Sequence, residues 1–218
     1  VYKNEKTSLL KMDKIIANSN YTKNMYEKFL EKKVNEVIYP PVDTKSFRYK
    51  KNEEFFLFVG RLYKHKRVDI VTKAFSKIPN EKLVVVGDGP LRSYVEKMSK
   101  KYNNIDFKGR VSDNVLKDLY SRCKAVIYIT EKEPFGLVPV EANASGKPAI
   151  VSNEGGVKET IIPEKTGIVI KEPYLENLVN AIMNFDHFKF KPSECIKNSK
   201  RFDITVFIKK WKKVLENI

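Results

Sequence analysis

Short apolar runs alternate along this chain with longer stretches in which apolar residues recur every third or fourth position. The runs are rich in β-branched and aromatic residues, as buried strands are. They are FFLFVG (55–60), KLVVVG (82–87), IDFKG (105–109), AVIYIT (125–130), PAIVS (148–152) and GIVI (167–170). Helical patterns lie between them, near residues 68–77, 91–101, 114–122 and 137–145. This alternation predicts an α/β domain with a Rossmann-like parallel sheet and helices on both faces.

The stretch before this domain is too short to bury a core of its own. KIIAN (14–18) and EVIY (36–39) predict two short strands, and between them Ser19 can cap a helix. A proline pair follows at 40–41. We therefore expect residues 1–50 to be the remnant of an N-terminal domain together with a linker. After the sheet domain, helices are predicted near 174–185 and 204–217.

Composition adds a strong positive charge and little metal chemistry. The 218 residues carry 42 basic and 27 acidic side chains, a net charge of +15, which favours phosphate ligands, polyanions or acidic membrane surfaces without choosing among them. Two cysteines and two histidines, Cys123, Cys195, His65 and His187, have no zinc-site spacing. No run has the length of a membrane span and the first residues do not resemble a signal peptide. We expect a cytoplasmic protein, with peripheral contact to a membrane left open.

The segment EPFGLVPVEANASG (133–146) follows the apolar run 125–130 and predicts a loop and then a helix. Pro139 is tolerated only in a first helical turn, and Gly146 followed by Pro148 ends the helix. The first free N–H groups fall near residues 135–138, where no side chain offers a cap. That helix end is therefore suited to an anion or a polar ligand.

Two glutamates lie on either side of this helix start. Glu133 is in the loop at the carboxyl end of its strand, where open parallel sheets bind ligands. Glu141 is the only charge in LVPVEANAS and shares a helix face with apolar residues. A carboxylate on a packed face needs hydrogen-bond donors, and a vicinal diol such as that of ribose supplies two. A solvated surface glutamate is the alternative interpretation.

Glu133 and Glu141, eight positions apart around P-F-G-L, resemble the paired-glutamate signature of the retaining glycosyltransferases of family 4, the glycosyl transferases group 1. The resemblance extends from about residue 55 to 170, with weaker matches on both flanks. It implies the C-terminal half of a GT-B fold, with residues 51–200 as the nucleotide-sugar (donor) binding domain. The last segment, 201–218, would be a helix that crosses back to the N-terminal domain.

VGRLYKHKR (59–67) is strongly basic and directly follows the first strand of the domain. Such a run is usually a solvated surface. The resemblance instead implies that Gly60, Arg61 and Lys66 bind the nucleotide diphosphate, with Gly60 allowing a close approach of backbone. It also implies that the main chain near Val111, in GRVSDNVL (109–116), binds the nucleobase.

Two glycine-rich segments have both a structural and a functional interpretation. GDGP (87–90) lacks the third glycine of a dinucleotide motif, since Arg92 occupies that position, and it is either a turn or a neighbour of the donor site. SNEGGVKET (152–160) is either a flexible connection or a loop close to the donor. Glu159 there matches the family's usual glutamate, with no catalytic role assigned to it. No P-loop motif occurs, so neither a dehydrogenase nor a P-loop enzyme is supported.

The resemblance implies a site in which Arg61, Lys66 and Glu133 are catalytic. Donor binding would be completed by the groups that contact base, ribose and sugar: Gly60, Val111, Phe135, Gly136, Leu137 and Glu141. No D-x-D motif occurs, so we expect neither a metal nor a cofactor. The basic side chains would stabilise the leaving diphosphate instead.

The implied reaction is transfer of a hexose, with retention, to a glycan or lipid-linked acceptor. PPVD (40–43) is reminiscent of mannosyltransferases that use GDP-mannose, and a UDP-sugar donor remains open. Because most of the N-terminal domain is expected to be missing, this chain alone should bind donor but turn over poorly.

Three rival functions remain. A nucleotide-sugar binding domain without catalysis would have the same donor residues. A nucleotide-sugar epimerase would have a similar sheet and ligand. A nucleic-acid-binding module fits the net charge, but the aromatic residues lie mostly within apolar runs instead of among the basic residues, so we expect no nucleic-acid partner.

Overall fold

The computed structural model describes residues 7–9, 11–172 and 174–216, and its strands form two parallel sheets. The strands are β1 (Ile16–Ala17), β2 (Glu36–Val37), β3 (Phe56–Val59), β4 (Leu83–Val86), β5 (Ile105–Gly109), β6 (Ala125–Tyr128), β7 (Ala149–Ser152) and β8 (Gly167–Ile170). The larger sheet has the order β5-β4-β3-β6-β7-β8, and β1 pairs with β2. The six strands predicted for the sheet domain are thus confirmed to within two residues at each end.

Both faces of the large sheet are covered, which is why its four central strands are buried at every position and almost entirely apolar, whereas the edge strand β5 carries Asp106 and the exposed Lys108. Along β3, Phe56 and Phe58 point into one hydrophobic core, whereas Leu57 and Val59 point into another. This period of two places one core on each side of the sheet. The predicted Rossmann-like arrangement, with helices covering both faces, follows from it.

The described residues form eight helices of seven residues or more. They are α1 (Asn20–Leu30), α2 (Val68–Phe75), α3 (Arg92–Lys101), α4 (Asp113–Arg122), α5 (Val138–Ala144), α6 (Tyr174–Met183), α7 (Pro192–Ser199) and α8 (Ile204–Leu215). The Ser19 and Ser112 side chains cap α1 and α4, accepting hydrogen bonds from the backbone N–H of Thr22 and Val115. None of the described helices combines the length and apolar character needed to cross a membrane.

One helix, α7, was not predicted from the sequence. It begins with Pro192 in its first turn and packs against α5. Its buried face includes Asn198, whose side-chain amide donates to Asn143 Oδ1 and to the Thr160 carbonyl, both at 2.7 Å. The stretch lacks a regular apolar repeat because part of that face is polar and satisfied by these hydrogen bonds.

The linker and the last helix are joined through the backbone. Val42 N–H donates to the Phe202 carbonyl at 2.9 Å, and Ile204 N–H donates to the Val42 carbonyl at 3.1 Å. Asp203 caps α8, and Ile204, Ile208 and Leu215 are exposed along that helix. Residues 1–6 and 217–218, which belong to the predicted terminal segments, lie outside the described residues. The division into 1–50, 51–200 and 201–218 remains a prediction.

Candidate active site at the carboxyl edge of the sheet

The loops that follow β3 and β6 meet at the carboxyl edge of the sheet and bring Lys66 and Glu133 together. Lys66 ends a short turn, Lys64–Lys66, and only 8 % of it is exposed. Its ammonium forms an ion pair with the Glu133 carboxylate and donates a hydrogen bond to the Tyr128 hydroxyl at 2.9 Å. Two of the three predicted catalytic side chains are therefore in direct contact.

The remaining basic residues of 59–67 do not form a uniform solvated surface. Arg61 is exposed, its guanidinium 5.4 Å from the centroid of the Tyr63 ring, and it has no ion pair with any other described residue. Arg67 instead donates to the Thr130 carbonyl at 3.0 Å and to Glu154 at 2.7 Å. Arg67 thus ties three loops together, whereas Arg61 is open to an anion.

Two glycines fix the position of the Glu133 loop. A Cβ on Gly155 would lie 2.3 Å from the Glu133 carbonyl oxygen, and one on Gly156 would lie 2.2 Å from that of Pro134. Gly156 N–H also donates to the Glu133 carbonyl at 2.8 Å. The segment 152–160 is therefore a close-packed support for Glu133, and the interpretation as a flexible connection is wrong.

GDGP supports the loop that carries Arg61 in the same way. A Cβ on Gly87 would lie 1.8 Å from the Gly60 carbonyl oxygen, and one on Gly89 would lie 2.9 Å from Leu62 N. A Cβ on Gly60 itself would meet only the Phe58 ring, at 3.7 Å. Within the chain, the close backbone approach expected at Gly60 is therefore provided by Gly87.

Glu141, on α5, borders a cavity of about 300 Å³. The other residues that line it come from the linker, from α4 and from the start of α5: Pro41, Val42, Asp43, Ser46, Phe47, Asp113, Leu116, Lys117, Tyr120 and Leu137. Burial raises the pKa of Glu141, and a hydrogen bond from Tyr120 opposes that rise. The Tyr120 hydroxyl donates to Glu141 Oε2 at 2.6 Å, whereas Oε1 accepts no hydrogen bond from the described residues.

The other predicted donor residues lie around the same edge. Phe135 is buried, and its ring stacks on that of Tyr39 with 5.3 Å between centroids, so only its main chain is available to a ligand. Gly136 has a φ of +94° and approaches the Tyr128 ring. Leu137 precedes α5 with no side-chain cap, as predicted, and Val111 is partly buried against the core that includes Leu119 and Tyr120 of α4.

Glu159 is engaged elsewhere. Its carboxylate accepts hydrogen bonds from the backbone N–H of Asn20 at 2.9 Å and of Tyr21 at 2.8 Å, and from the Tyr39 hydroxyl at 3.0 Å. It therefore holds the start of α1, where a carboxylate also complements the helix dipole. Its contacts in the structure are those of a residue that anchors the N-terminal segment.

Two residues of the site, Tyr120 and Tyr128, were missed by the sequence analysis. The Tyr120 hydroxyl is hydrogen-bonded to Glu141, and the Tyr128 hydroxyl to Lys66. Both tyrosines lie in stretches of sequence whose other buried positions are mostly apolar. A tyrosine within a buried run is the available signal, since a buried hydroxyl requires a partner. No three His, Cys, Asp or Glu side chains of the described residues are grouped as ligands of one metal ion.

The model of one protein family, Glycosyl transferases group 1, matches residues 41–202. The chain belongs to this family. The resemblance drawn from Glu133 and Glu141 is thereby confirmed at the level of the family.

Several glycosyltransferases are similar to this member of the family. An uncharacterized glycosyltransferase of Methanocaldococcus jannaschii is 32 % identical over 78 % of this chain and 49 % of its own length. An alpha-1,3/1,6-mannosyltransferase of Candida glabrata is 28 % identical, with 69 % of this chain and 44 % of the relative covered. The chain thus spans about half the length of these curated relatives.

Solved structures share the fold. Sucrose-phosphate synthase of Thermosynechococcus elongatus superposes with a TM-score of 0.83 at 24 % identity, over 99 % of this chain and 61 % of that one. HepE of Anabaena, crystallised with UDP, gives a TM-score of 0.79 at 21 % identity, over 94 % and 64 % of the two chains. These likenesses confirm the Rossmann-like half of a GT-B fold.

Proposed function

We propose that this chain is the donor-binding half of a retaining, metal-independent hexosyltransferase. The observation that carries the proposal is the buried Lys66 ammonium, which is paired with Glu133 at the carboxyl edge of a parallel sheet. A cation held there can receive the diphosphate of a nucleotide-sugar. The acceptor, a glycan or a lipid-linked glycan, would be bound by a preceding domain.

Each part of the donor has a proposed partner. The ribose binds Glu141, which lines a cavity large enough for part of a nucleoside and whose Oε1 accepts no hydrogen bond from the described residues, and the base binds main chain near Val111. The diphosphate binds Lys66 and Arg61. The sugar lies near Glu133 and the N–H groups of residues 135–137.

Fixed cations suit the chemistry of this donor. Cleavage of the sugar–phosphate bond builds negative charge on the leaving diphosphate, so cations beside it stabilise the transition state more than the ground state. Lys66 and the exposed Arg61 would supply that charge without a metal ion. The proposal of metal independence rests on these two side chains.

We propose GDP-mannose as the first donor to test and a UDP-sugar as the second. Alpha-1,3/1,6-mannosyltransferases of Candida glabrata and Dictyostelium discoideum are 28 % and 27 % identical to this chain, which supports mannose. HepE of Anabaena was also solved with UDP-glucose, which keeps UDP-glucose in the test. We place the reaction in the cytoplasm, with peripheral contact to a membrane if the acceptor is a lipid.

The test is calorimetric titration of this chain with GDP, UDP and ADP, then with GDP-mannose and UDP-glucose, first in EDTA and then in magnesium. We expect one nucleoside diphosphate to bind in EDTA with an affinity that magnesium does not change. Lys66→Ala and Glu141→Gln each remove a charge-assisted hydrogen bond, which is worth about 1.5–3 kcal/mol, so affinity should fall roughly ten- to a hundred-fold.

Matched controls are Lys64→Ala, an exposed lysine of the same turn, and Glu176→Gln, an exposed glutamate on α6. Neither should change affinity. A folded chain that binds none of these nucleotides, or binds only in magnesium, would overturn the proposal. Transfer of sugar by a longer chain with its preceding domain separates an enzyme from a binding domain without catalysis.

A further inference from the structure

The Tyr128 hydroxyl contacts the ammonium of the ion pair that Lys66 forms with Glu133. It accepts a hydrogen bond from Lys66 Nζ at 2.9 Å, and the same ammonium contacts the Glu133 carboxylate. Lys66 Nζ also lies 5.1 Å from the centroid of the Tyr128 ring. Together the two distances place the ammonium beyond the hydroxyl end of the ring, so the tyrosine contacts the cation through its hydroxyl.

Tyr128 is held more firmly than the two charged residues. It is the last residue of β6, paired with Val151 of β7 in the middle of the sheet, and only 5 % of it is exposed. Its ring also fits against Gly136, where an added Cβ would lie 2.9 Å from Tyr128 Cε1. Lys66 and Glu133 both lie on loops, so the sheet fixes the hydroxyl and the hydroxyl can fix them.

The hydroxyl remains a neutral phenol in this position. Burial raises the pKa of Tyr128, and the charge of Glu133 and a hydrogen bond with it raise that pKa further. The phenol can therefore accept a hydrogen bond from Lys66 as a neutral group. Of the three N–H bonds of the Lys66 ammonium, Tyr128 and Glu133 take two, and the third is left for a phosphate oxygen.

We propose that Tyr128 is a positioning residue whose hydroxyl holds the Lys66 ammonium in place to receive the diphosphate of the donor. The inference rests on the proposed function. Without the hydroxyl, Glu133 is the only strong partner of Lys66 among the described residues, and the diphosphate must then compete with a carboxylate for a less constrained ammonium.

Tyr128→Phe separates this role from packing. It deletes the oxygen and keeps the ring that contacts Gly136, so the fold should be retained. The contribution of the second phosphate is measured as the ratio of the affinities for a nucleoside diphosphate and its monophosphate. The probes are UDP with UMP, GDP with GMP and ADP with AMP, titrated in EDTA.

We expect Tyr128→Phe to lower this ratio about ten-fold or more and to leave the monophosphate affinity unchanged, since a hydrogen bond from a charged donor is worth at least about 1.5 kcal/mol. Tyr120→Phe, which acts on Glu141 at the other end of the site, should weaken both nucleotides equally. Tyr94→Phe, whose hydroxyl lies on α3 at 3.5 Å from the Asp69 carbonyl, should change neither.

The double variant Lys66→Ala/Tyr128→Phe tests whether Tyr128 acts through Lys66. If it does, the double variant binds the diphosphate no more weakly than Lys66→Ala alone. Additive losses, or an unchanged ratio in Tyr128→Phe while Lys66→Ala loses affinity, would overturn the positioning role and leave the proposed function standing. Failure of the unmodified chain to bind any nucleoside diphosphate would instead overturn both.

Discussion

Two lysines are buried at opposite edges of the same sheet, and their surroundings differ. Lys66 follows β3 at the carboxyl edge, where its partners are the Glu133 carboxylate and the Tyr128 hydroxyl. Lys147 lies just before β7 at the amino edge and has no exposed surface. Its ammonium donates to the Lys50 carbonyl at 2.8 Å and to the Asn52 side chain.

The partners show what each buried cation does. Lys147 is held by neutral oxygens of residues 50–52, so it ties the segment before β3 to the sheet, and burial lowers its pKa because the charged form is poorly solvated there. Lys66 is held by a carboxylate, an anion that a phosphate can replace. Burial of a lysine is therefore not by itself a sign of function.

A carboxylate partner for a buried lysine is not by itself a sign of function either. Lys124, also at the amino edge, is paired with Asp186 at 3.0 Å and with Glu81 at 3.6 Å. The loops at that edge return the chain to the start of each strand. At the carboxyl edge, the loops that follow β3 and β6 are neighbours. Lys66 there contacts Glu133 and Tyr128, which have separate proposed roles.

The largest effect on stability should come from Lys147→Ala. It removes the donor to the Lys50 and Asn52 oxygens and opens a cavity at a position with no exposed surface, which should cost about 2–5 kcal/mol of unfolding free energy. Urea denaturation measures the loss, and Lys147→Met, which keeps most of the volume, isolates the share of the hydrogen bonds. Nucleotide affinity of the folded variant should not change.

Lys66→Ala should lower nucleotide affinity strongly, which Lys147→Ala should not. It should also lower the unfolding free energy, since Glu133, with 18 % of its side chain exposed, loses its ion pair in a largely buried position. If both variants lose stability and affinity alike, the distinction between the two edges is wrong.

A smaller effect is expected from Gly156→Ala, which tests the support beneath Glu133. The added Cβ would meet the Pro134 carbonyl at 2.2 Å, so the backbone must move, at a cost of about 1–3 kcal/mol. Nucleoside diphosphate affinity should fall as well, because Glu133 and Lys66 shift. Gly60→Ala, where the nearest contact is 3.7 Å, is the stability control and should stay within about 0.5 kcal/mol of the unmodified chain.

The sequence predicted those features that depend on local pattern. Apolar runs located the six strands because most strand residues are buried, and Ser19 identified the start of α1 by its capping chemistry. The uncapped start of α5 was predicted for the same reason. These features are visible within a few residues of chain.

Partners that are distant in sequence could not be predicted this way. Tyr128 lies 62 positions from Lys66, and Asn20 lies 139 positions from Glu159. The position of Glu141 on an apolar helix face indicated that its carboxylate needs a hydrogen-bond donor, but not that Tyr120 supplies one. The ion pair of Lys66 with Glu133 depends likewise on the strand order, which places β3 beside β6.

The smallest predicted effect concerns the pH dependence at Glu141. Burial raises the pKa of this carboxyl above 4.5, and the Tyr120 hydrogen bond stabilises the ionised form and lowers it again. If ionised Glu141 binds the ribose, nucleotide affinity must fall as the pH drops through this pKa. In Tyr120→Phe the ionised form loses its hydrogen bond, so the pKa rises and the midpoint moves to higher pH.

The expected shift is about 0.4–1 pH unit, because a net hydrogen bond is worth roughly 0.5–1.5 kcal/mol and one pKa unit is 1.36 kcal/mol. Affinity for a nucleoside monophosphate is measured from pH 4 to 8 for the unmodified chain, Tyr120→Phe and Glu141→Gln. In Glu141→Gln this carboxyl no longer titrates, whereas the phosphate still does. The affinity of the unmodified chain divided by that of Glu141→Gln at each pH therefore gives the titration of the Glu141 carboxyl. If affinity instead falls as the pH rises through this pKa, the nucleotide binds where Glu141 is protonated, and the ribose would then have to be assigned to another residue.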